Sequence, residues 1–293
     1  MSFILDLFRL CKLKVVGLIL ITAIVGMFLS VPAPYLPDLF LVLIATAGIG
    51  MSAASAAVFN HIIDEQADIK MLRTENRPLP QKIVSREQAF VWGMFLGITG
   101  LAILYFFVNY ITMVLTFLSL IGYAVIYTIY LKRATPQNIV IGGAAGATPP
   151  ILGWTSIAGT QGIEYSFLLF LIIFVWTPPH FWFLAIDRIK DYKGVNIPML
   201  PVTHGLAYTK LQILLYTLLL FIVALLPYLF GMSGLIYLLS AVVLGAVFIY
   251  YAVKTYKDSN QSKIAIQAFA YSVQYLTLLF IALLVDHYWL ITL

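Results

Sequence analysis

Cysteine is nearly missing: Cys11 is the only one in 293 residues, which excludes an intramolecular disulfide and leaves no dithiol chemistry. Charge is scarce too. Asp, Glu, Lys and Arg make up 10% of the chain, too little to coat a molecule of this size for life in water. No Gly-Lys-Ser/Thr phosphate loop occurs, which removes the P-loop nucleotide-binding class. A basic face interleaved with aromatics is also lacking, because the 17 Lys and Arg fall in short groups between apolar runs; the net charge of +5 is therefore no nucleic-acid footprint. The N-terminal segment carries Asp6, unlike an organellar transit peptide. The apolar run from Val15 to Val31 ends in Pro-Ala-Pro-Tyr without a small-residue cleavage site, so it is expected to be a retained first span.

What is present is hydrocarbon: 62% of residues are hydrophobic and the mean hydropathy is +0.99. The lipid bilayer is the main solvent, and the fold class is all-α, polytopic membrane protein. A span needs about 20 mostly apolar residues. Nine runs meet that, at 14–31, 38–60, 87–107, 110–131, 138–157, 166–186, 209–229, 233–253 and 265–285, the sixth expected to kink at Pro178-Pro179. All 17 Lys and Arg precede span one or follow spans two, four, six and eight. By the positive-inside rule the N-terminus and those loops are cytoplasmic, and the C-terminus, from Asp286 onward, is outside.

One stretch breaks the apolar pattern. Asn60 to Pro80 places Asn60, Asp64 and Asp68 at successive i, i+4 positions, one face of a helix. Lys70, Arg73 and Arg77 follow, residue types that bind phosphate oxygens, and Pro78 and Pro80 stop the helix. Four spans later Asp187 and Asp191 repeat the spacing, again with basic residues, Lys190 and Lys193, beside them and a proline-rich stop at Pro198 and Pro201 after them. The chain therefore reads as one domain, 1–293, of two four-helix pseudo-repeats, about 1–134 and 135–256, with a ninth helix at about 264–287; such duplication puts a site between the halves. Four carboxylates around one cavity call for a hard cation, and Mg²⁺ bridging carboxylates and substrate phosphates is the natural one. Lys132 and Arg133 in the neighbouring loop are secondary phosphate candidates. Taken singly, each basic residue is explained as well by topology control. Topology does not call for acidic residues repeated at helical spacing.

Of the four histidines, His287 belongs to an outer aromatic belt, and His61 lies about 100° off the aspartate face. His180, in Trp176-Thr-Pro-Pro-His-Phe-Trp, is seven residues before Asp187 and so about two turns deeper, where it could serve as ligand or as base. The small-residue runs 48–57 and 142–147 read as close helix-packing surfaces.

Four motifs together carry a resemblance over nearly the whole chain: Asn60-x-x-x-Asp64-x-x-x-Asp68-x-x-Met71-x-Arg73-Thr74-x-x-Arg77-Pro78-Leu79; Arg133-Ala-Thr135-Pro-Gln-Asn138 with the glycine-rich run after it; Trp176-Thr-Pro-Pro-His180-Phe-Trp; and Asp191-Tyr192 followed by Ile197-Pro-Met-Leu-Pro201. The chain resembles the UbiA superfamily of intramembrane prenyltransferases, and within it the haem-directed farnesyltransferases. It departs from them at Gln66, where that branch often has a further Asp, and it lacks the D-x-x-Y-A-x-x-D second box of the aromatic-acid branch. The resemblance implies a nine-helix fold in a bacterial cytoplasmic membrane. It implies transfer of a farnesyl group from farnesyl diphosphate to the vinyl group of haem b, with Mg²⁺ as cofactor and haem as substrate, and a haem A synthase or terminal oxidase assembly as downstream partner. It also implies roles: Asp64, Asp68, Asp187 and Asp191 for the metal; Asn60, Arg73, Arg77, Lys132, Arg133, Asn138, Tyr192 and Lys193 for diphosphate or haem; His180 on the haem side; Asp191 a firmer choice than Asp187. A quinone-precursor prenyltransferase and a membrane transporter remain the competing readings.

Overall fold

The computed structural model describes residues 3–71, 74–258 and 263–289. Within these the chain is helical: α1 (Phe3–Leu10), α2 (Leu13–Leu29), α3 (Leu39–Asp68), α4 (Arg86–Phe107), α5 (Tyr110–Ile121), a π-helical stretch (Gly122–Leu131), α6 (Lys132–Ala134), α7 (Asn138–Ala147), α8 (Pro149–Ala158), α9 (Ile163–Asp187), α10 (Ile189–Gly194), α11 (Leu200–Thr203), α12 (Gly205–Leu229), α13 (Leu235–Lys257) and α14 (Lys263–Tyr288). Among the described residues seven helices are long and apolar enough to cross a membrane, Tyr110–Ala134 counting as one, and α1 with α2, bent by 54°, makes an eighth candidate. The protein is thus a multi-pass, all-helical membrane protein.

Local chemistry sets where several helices start. Asp38 accepts the amides of Phe40 and Leu41 ahead of α3, Ser85 and Gln88 form a reciprocal capping box on α4, and Asn109 caps α5 through the Thr112 amide. The start of α13 is capped from a distance: the buried Asp286 carboxylate of α14 accepts the amides of Gly234 and Tyr237. That pairing locks the last two long helices together and gives a buried charge its partners. Large apolar side chains such as Phe95, Ile98, Phe106 and Phe117 stay exposed on α4 and α5, as a lipid-facing surface requires.

The run 138–157, expected as one span, is two ten-residue helices that meet at Thr148 and Pro149. Pro149 and Pro150 have no N–H to give the carbonyls four residues back, so the helix cannot continue through them unaided. The carbonyl that Pro149 frees, Ala145 O, accepts instead from Ser119 Oγ at 3.1 Å and Thr148 Oγ1 at 3.0 Å. Side-chain hydroxyls thus take over the missing ladder bond at membrane depth. The double substitution Ser119→Ala, Thr148→Val is expected to cost about 1–3 kcal/mol, the penalty for an unsatisfied buried acceptor, read as a lowered melting temperature in detergent, with either single change costing less. The proline pair expected to kink the sixth span does not divide its helix: α9 runs from Ile163 to Asp187 with Pro178 and Pro179 inside it.

α3 packs along α4, α2 against α8, and α9 against α12 and α14. The largest buried cluster joins α9, α12, α13 and α14 through Trp182, Phe183, Phe248, Tyr275 and Phe280. The glycine-rich run of α7 serves packing as expected: a Cβ on Gly142 would lie 2.2 Å from the Tyr127 ring, so the absent side chain is what admits Tyr127.

Candidate functional site

α3 is longer than the span expected for it and carries its helical register to Asp68, so Asn60, Asp64 and Asp68 do share one face; all three are buried. Cations from three other segments close over that face. Lys132 Nζ lies 2.5 Å from Asp64 Oδ2, and Arg77 Nη1 lies 2.6 Å from Asp68 Oδ2. Lys12 Nζ, from the bend between α1 and α2, donates to Asn60 Oδ1 at 2.5 Å. Asn60 Nδ2 in turn donates to Asp64 Oδ2 at 2.9 Å and to Thr128 Oγ1 at 3.2 Å. Thr128 belongs to the π-helical stretch and gives its own hydroxyl hydrogen to Tyr123 O. Thr128 faces Asn60 while Lys132, four residues on, faces Asp64.

Asp64 and Asp68 are each matched by one cation, Lys132 and Arg77, and the Lys12 amine adds a third donor, a set able to receive phosphate oxygens. Asp64 Oδ1 is enclosed and has no hydrogen-bond partner. His61 stands beside the site, Nδ1 at 4.0 Å from Asp68 Oδ2, with neither ring nitrogen hydrogen-bonded. The donor set is hard oxygen from two carboxylates and an amide, with one carboxylate oxygen free, which fits Mg²⁺. Among the described residues no group of three or more His, Cys, Asp or Glu is close enough to hold a metal ion. Mg²⁺ needs none, since it commonly uses one or two carboxylates and completes its shell with phosphate and water.

The second acidic segment is built differently. α9 ends at Asp187 and α10 begins at Ile189, so Arg188 interrupts the helix between Asp187 and Asp191. Asp187 Oδ2 pairs with Arg188 Nε at 3.0 Å; Asp191 and Tyr192 are half-buried, and Lys190 and Lys193 are exposed. Tyr192 packs with Tyr127 against Ile139, Ala185, Ile197 and Met199. A cavity of about 330 Å³ joins the two segments: Gln66 and Ala67 of α3 and Lys70 just after it wall one side, Gly194 to Ile197 the far side, and Arg133 is a further wall. The aspartates of the second segment are not among its walls.

Other expected residues separate by what they touch. Asn138 is buried, its Nδ2 donating to Thr135 O at 2.7 Å and its Oδ1 unpartnered, so it holds the turn ahead of α7. Arg133 reaches Ile63 O at 3.4 Å, and Arg73 falls outside the described residues. His180 stacks between Trp176 and Phe269, with ring centroids 4.2 and 4.5 Å away. His287 bonds Val31 O at 2.9 Å, tying the end of α14 to the loop after α2. Lys12 is the site residue that sequence reasoning missed, because a Lys ahead of the first span is indistinguishable from a topology charge. Thr128 was missed as well, although Thr128 and Lys132 repeat the i, i+4 spacing of Asn60 and Asp64.

Known proteins resemble the chain along its full length. At 68% identity over 292 residues, covering 100% of this chain and 98% of the other, it matches a protoheme IX farnesyltransferase of Vesicomyosocius okutanii. A protoheme IX farnesyltransferase of Ruthia magnifica is 69% identical over 286 residues, covering 98% and 96%. Among solved structures, a digeranylgeranylglyceryl phosphate synthase superposes with a TM-score of 0.80 at 19% identity, over 99% of this chain and 100% of that one. A UbiA homologue from Archaeoglobus fulgidus, solved with GPP and Mg²⁺, superposes with a TM-score of 0.66 at 14% identity, over 96% and 99%. The sequence profile of the UbiA prenyltransferase family matches residues 19–285. With its fold, its buried acidic face and its full-length relatives in agreement, the chain belongs to the UbiA prenyltransferase family, among the protoheme IX farnesyltransferases.

Proposed function

We infer that the chain transfers the farnesyl group of farnesyl diphosphate to the vinyl group of haem b, making haem O and diphosphate at a multi-pass site in a bacterial cytoplasmic membrane. The observation that carries the chemistry is the α3 face of Asn60, Asp64 and Asp68 enclosed by Lys12, Arg77 and Lys132. The full-length identity to protoheme IX farnesyltransferases carries the acceptor.

In this reading Asp64 and Asp68, with Asn60, would hold Mg²⁺, whose charge would offset that of the diphosphate and so favour its departure. Arg77 and Lys132 exchange part of their contacts with Asp68 and Asp64, and Lys12 its contact with the Asn60 amide, for phosphate oxygens and stabilise the charge that builds as the C–O bond breaks, its electron pair leaving with diphosphate. Asp187 and Asp191 are the second segment's candidates for the metal and Tyr192 and Lys193 its candidates for substrate, and Lys70, Arg73 and Arg133 are further cations for substrate anions. The surrounding helices keep the allylic cation from bulk water until the vinyl π electrons form the new C–C bond. One water then adds to the resulting carbocation and loses a proton, which completes the hydroxyethylfarnesyl group. His180 stands on the haem side, two turns into the membrane from Asp187.

The test is acceptor choice. Purified protein with Mg²⁺ and farnesyl diphosphate is expected to convert haem b to haem O and to leave 4-hydroxybenzoate untouched. Prenylated 4-hydroxybenzoate with no haem O would place the chain in the aromatic-acid branch. Solute translocation without any diphosphate release would make it a transporter.

A further inference from the structure

We propose that His61 is a positioning residue of the metal site, which takes over the Asp68 carboxylate when Arg77 leaves it for the diphosphate; this deepens the Mg²⁺ and diphosphate part of the reading above and rests on it. His61 and Asp68 lie seven residues apart on α3, two turns along nearly one line of the helix. Two side chains stand before Asp68 Oδ2. Arg77 Nη1 is bonded to it at 2.6 Å, and His61 Nδ1 is just out of bonding range at 4.0 Å. A movement of about 1 Å turns the second contact into a hydrogen bond. The His61 side chain is 3% exposed and neither ring nitrogen has a hydrogen-bond partner, while the charges of Lys12, Arg77 and Lys132 all bear on the ring.

A histidine with both nitrogens sealed and unpaired is an unfavourable way to fill space, since Phe or Leu would fill it without burying two polar atoms. The arrangement suits a protein that spends part of its cycle in a second state, where one nitrogen is paired. That state is the one in which Arg77 turns to phosphate oxygens. Asp68 is 2% exposed, and a buried carboxylate that loses its charged donor is strongly destabilised. His61 Nδ1, already facing it, supplies an N–H in place of the guanidinium. An imidazole N–H fixes the carboxylate's orientation without the permanent charge of a second Lys or Arg, so Asp68 keeps its negative charge for the metal. Carboxylates that ligate metals are ordinarily hydrogen-bonded in this way. The proposal places the ring hydrogen on Nδ1 in the bound state, which the spectra below read directly.

The experiment adds Mg²⁺ and farnesyl thiodiphosphate, an analogue whose C–S bond breaks slowly, to the purified full chain in detergent, with no haem present. Nitrogen NMR spectra of protein labelled with ¹⁵N in its four histidines follow the rings, and the His61 signals are those missing from the His61→Asn spectrum. Mg²⁺ and the analogue together are expected to move the His61 Nδ1 signal to that of an N–H bonded to a carboxylate. His61→Phe, which fills the space without a donor, is expected to hold or raise the melting temperature, because two unpaired buried atoms are gone. The same variant is expected to weaken Mg²⁺-dependent binding of the analogue by about tenfold, in the range for removing a metal ligand's outer partner. His61→Asn, whose amide nitrogen stands where Nδ1 stood, is expected to keep the wild-type affinity. Wild type that binds the analogue while none of its histidine signals moves overturns the proposal, leaves the diphosphate reading standing and depends on no variant folding. So does His61→Phe protein with wild-type affinity. Wild type that binds no analogue in the presence of Mg²⁺ overturns both.

Discussion

Asp64→Asn is expected to lower the initial rate of haem O formation by about a thousandfold or more while the chain still folds. The change preserves shape and removes one charge. In the native site Asp64 Oδ2 holds both Lys132 and Asn60, and Oδ1 is enclosed without a partner. Without the carboxylate, Lys12, Arg77 and Lys132 face Asp68 alone, and the oxygen best placed for a divalent ion becomes part of a neutral amide. Loss of metal-assisted charge neutralisation is worth several kcal/mol, and about 1.4 kcal/mol is a factor of ten in rate. Leaving the Lys132 ammonium without its partner costs stability too, so the melting temperature should fall and must be measured beside the rate. Asp187→Asn is the comparison. Asp187 is partly exposed and pairs with the adjacent Arg188, and its loss is expected to cost about tenfold at most, as for a screened surface pair. A variant at Asp64 within tenfold of wild type, with diphosphate release intact, would show that this carboxylate does not hold the leaving group.

The contrast between the two aspartates marks what the sequence could convey. Helical spacing alone exposed the Asn60, Asp64, Asp68 face, because an uninterrupted α3 keeps the i, i+4 register that the sequence displays. The same spacing overstated the likeness of Asp187 and Asp191, since α9 stops between them at Arg188, and no proline or glycine there announces it. Long-range partners were less legible. Lys12 reaches Asn60 only because the chain bends after α1, with Lys12 itself at φ 50°, and a tertiary bend leaves no periodicity to read. The π-helical stretch was hidden as well: Gly122 to Leu131 is apolar enough to pass for a plain span, and its register is set by Thr128 meeting Asn60 across the interface. The proline pairs show the limit from the other side. Pro149-Pro150 divides a span and Pro178-Pro179 does not, and which outcome follows depends on packing that a dipeptide does not encode.

Gly153→Ala is expected to be the most damaging small change away from the chemistry, lowering the melting temperature by about 10 °C or preventing accumulation of folded protein. A Cβ at residue 153 would lie 1.9 Å from the Ala23 carbonyl oxygen and 2.7 Å from its carbon; across the same interface, a Cβ on Gly26 would lie 2.4 Å from Pro150 O. Here α2 and α8 meet backbone to backbone, and no side chain can swing aside. The helices must separate by more than an ångström, which places the cost at the upper end of overpacking, about 3 kcal/mol or more. For a chain of this size each kcal/mol moves the midpoint by about 2–4 °C. Gly146→Ala is the control: it lies in α7, has nothing within 4 Å of the added carbon, and should hold or slightly raise the midpoint, since Ala is the better helix former by about 1 kcal/mol. Coincident melting curves for the two variants would mean that the α2–α8 contact yields easily. If it does not yield, function follows: α2 carries Lys12 at its head, so whatever Gly153→Ala protein survives should have Lys12 displaced from Asn60 and bind farnesyl diphosphate more weakly than the Gly146→Ala protein does.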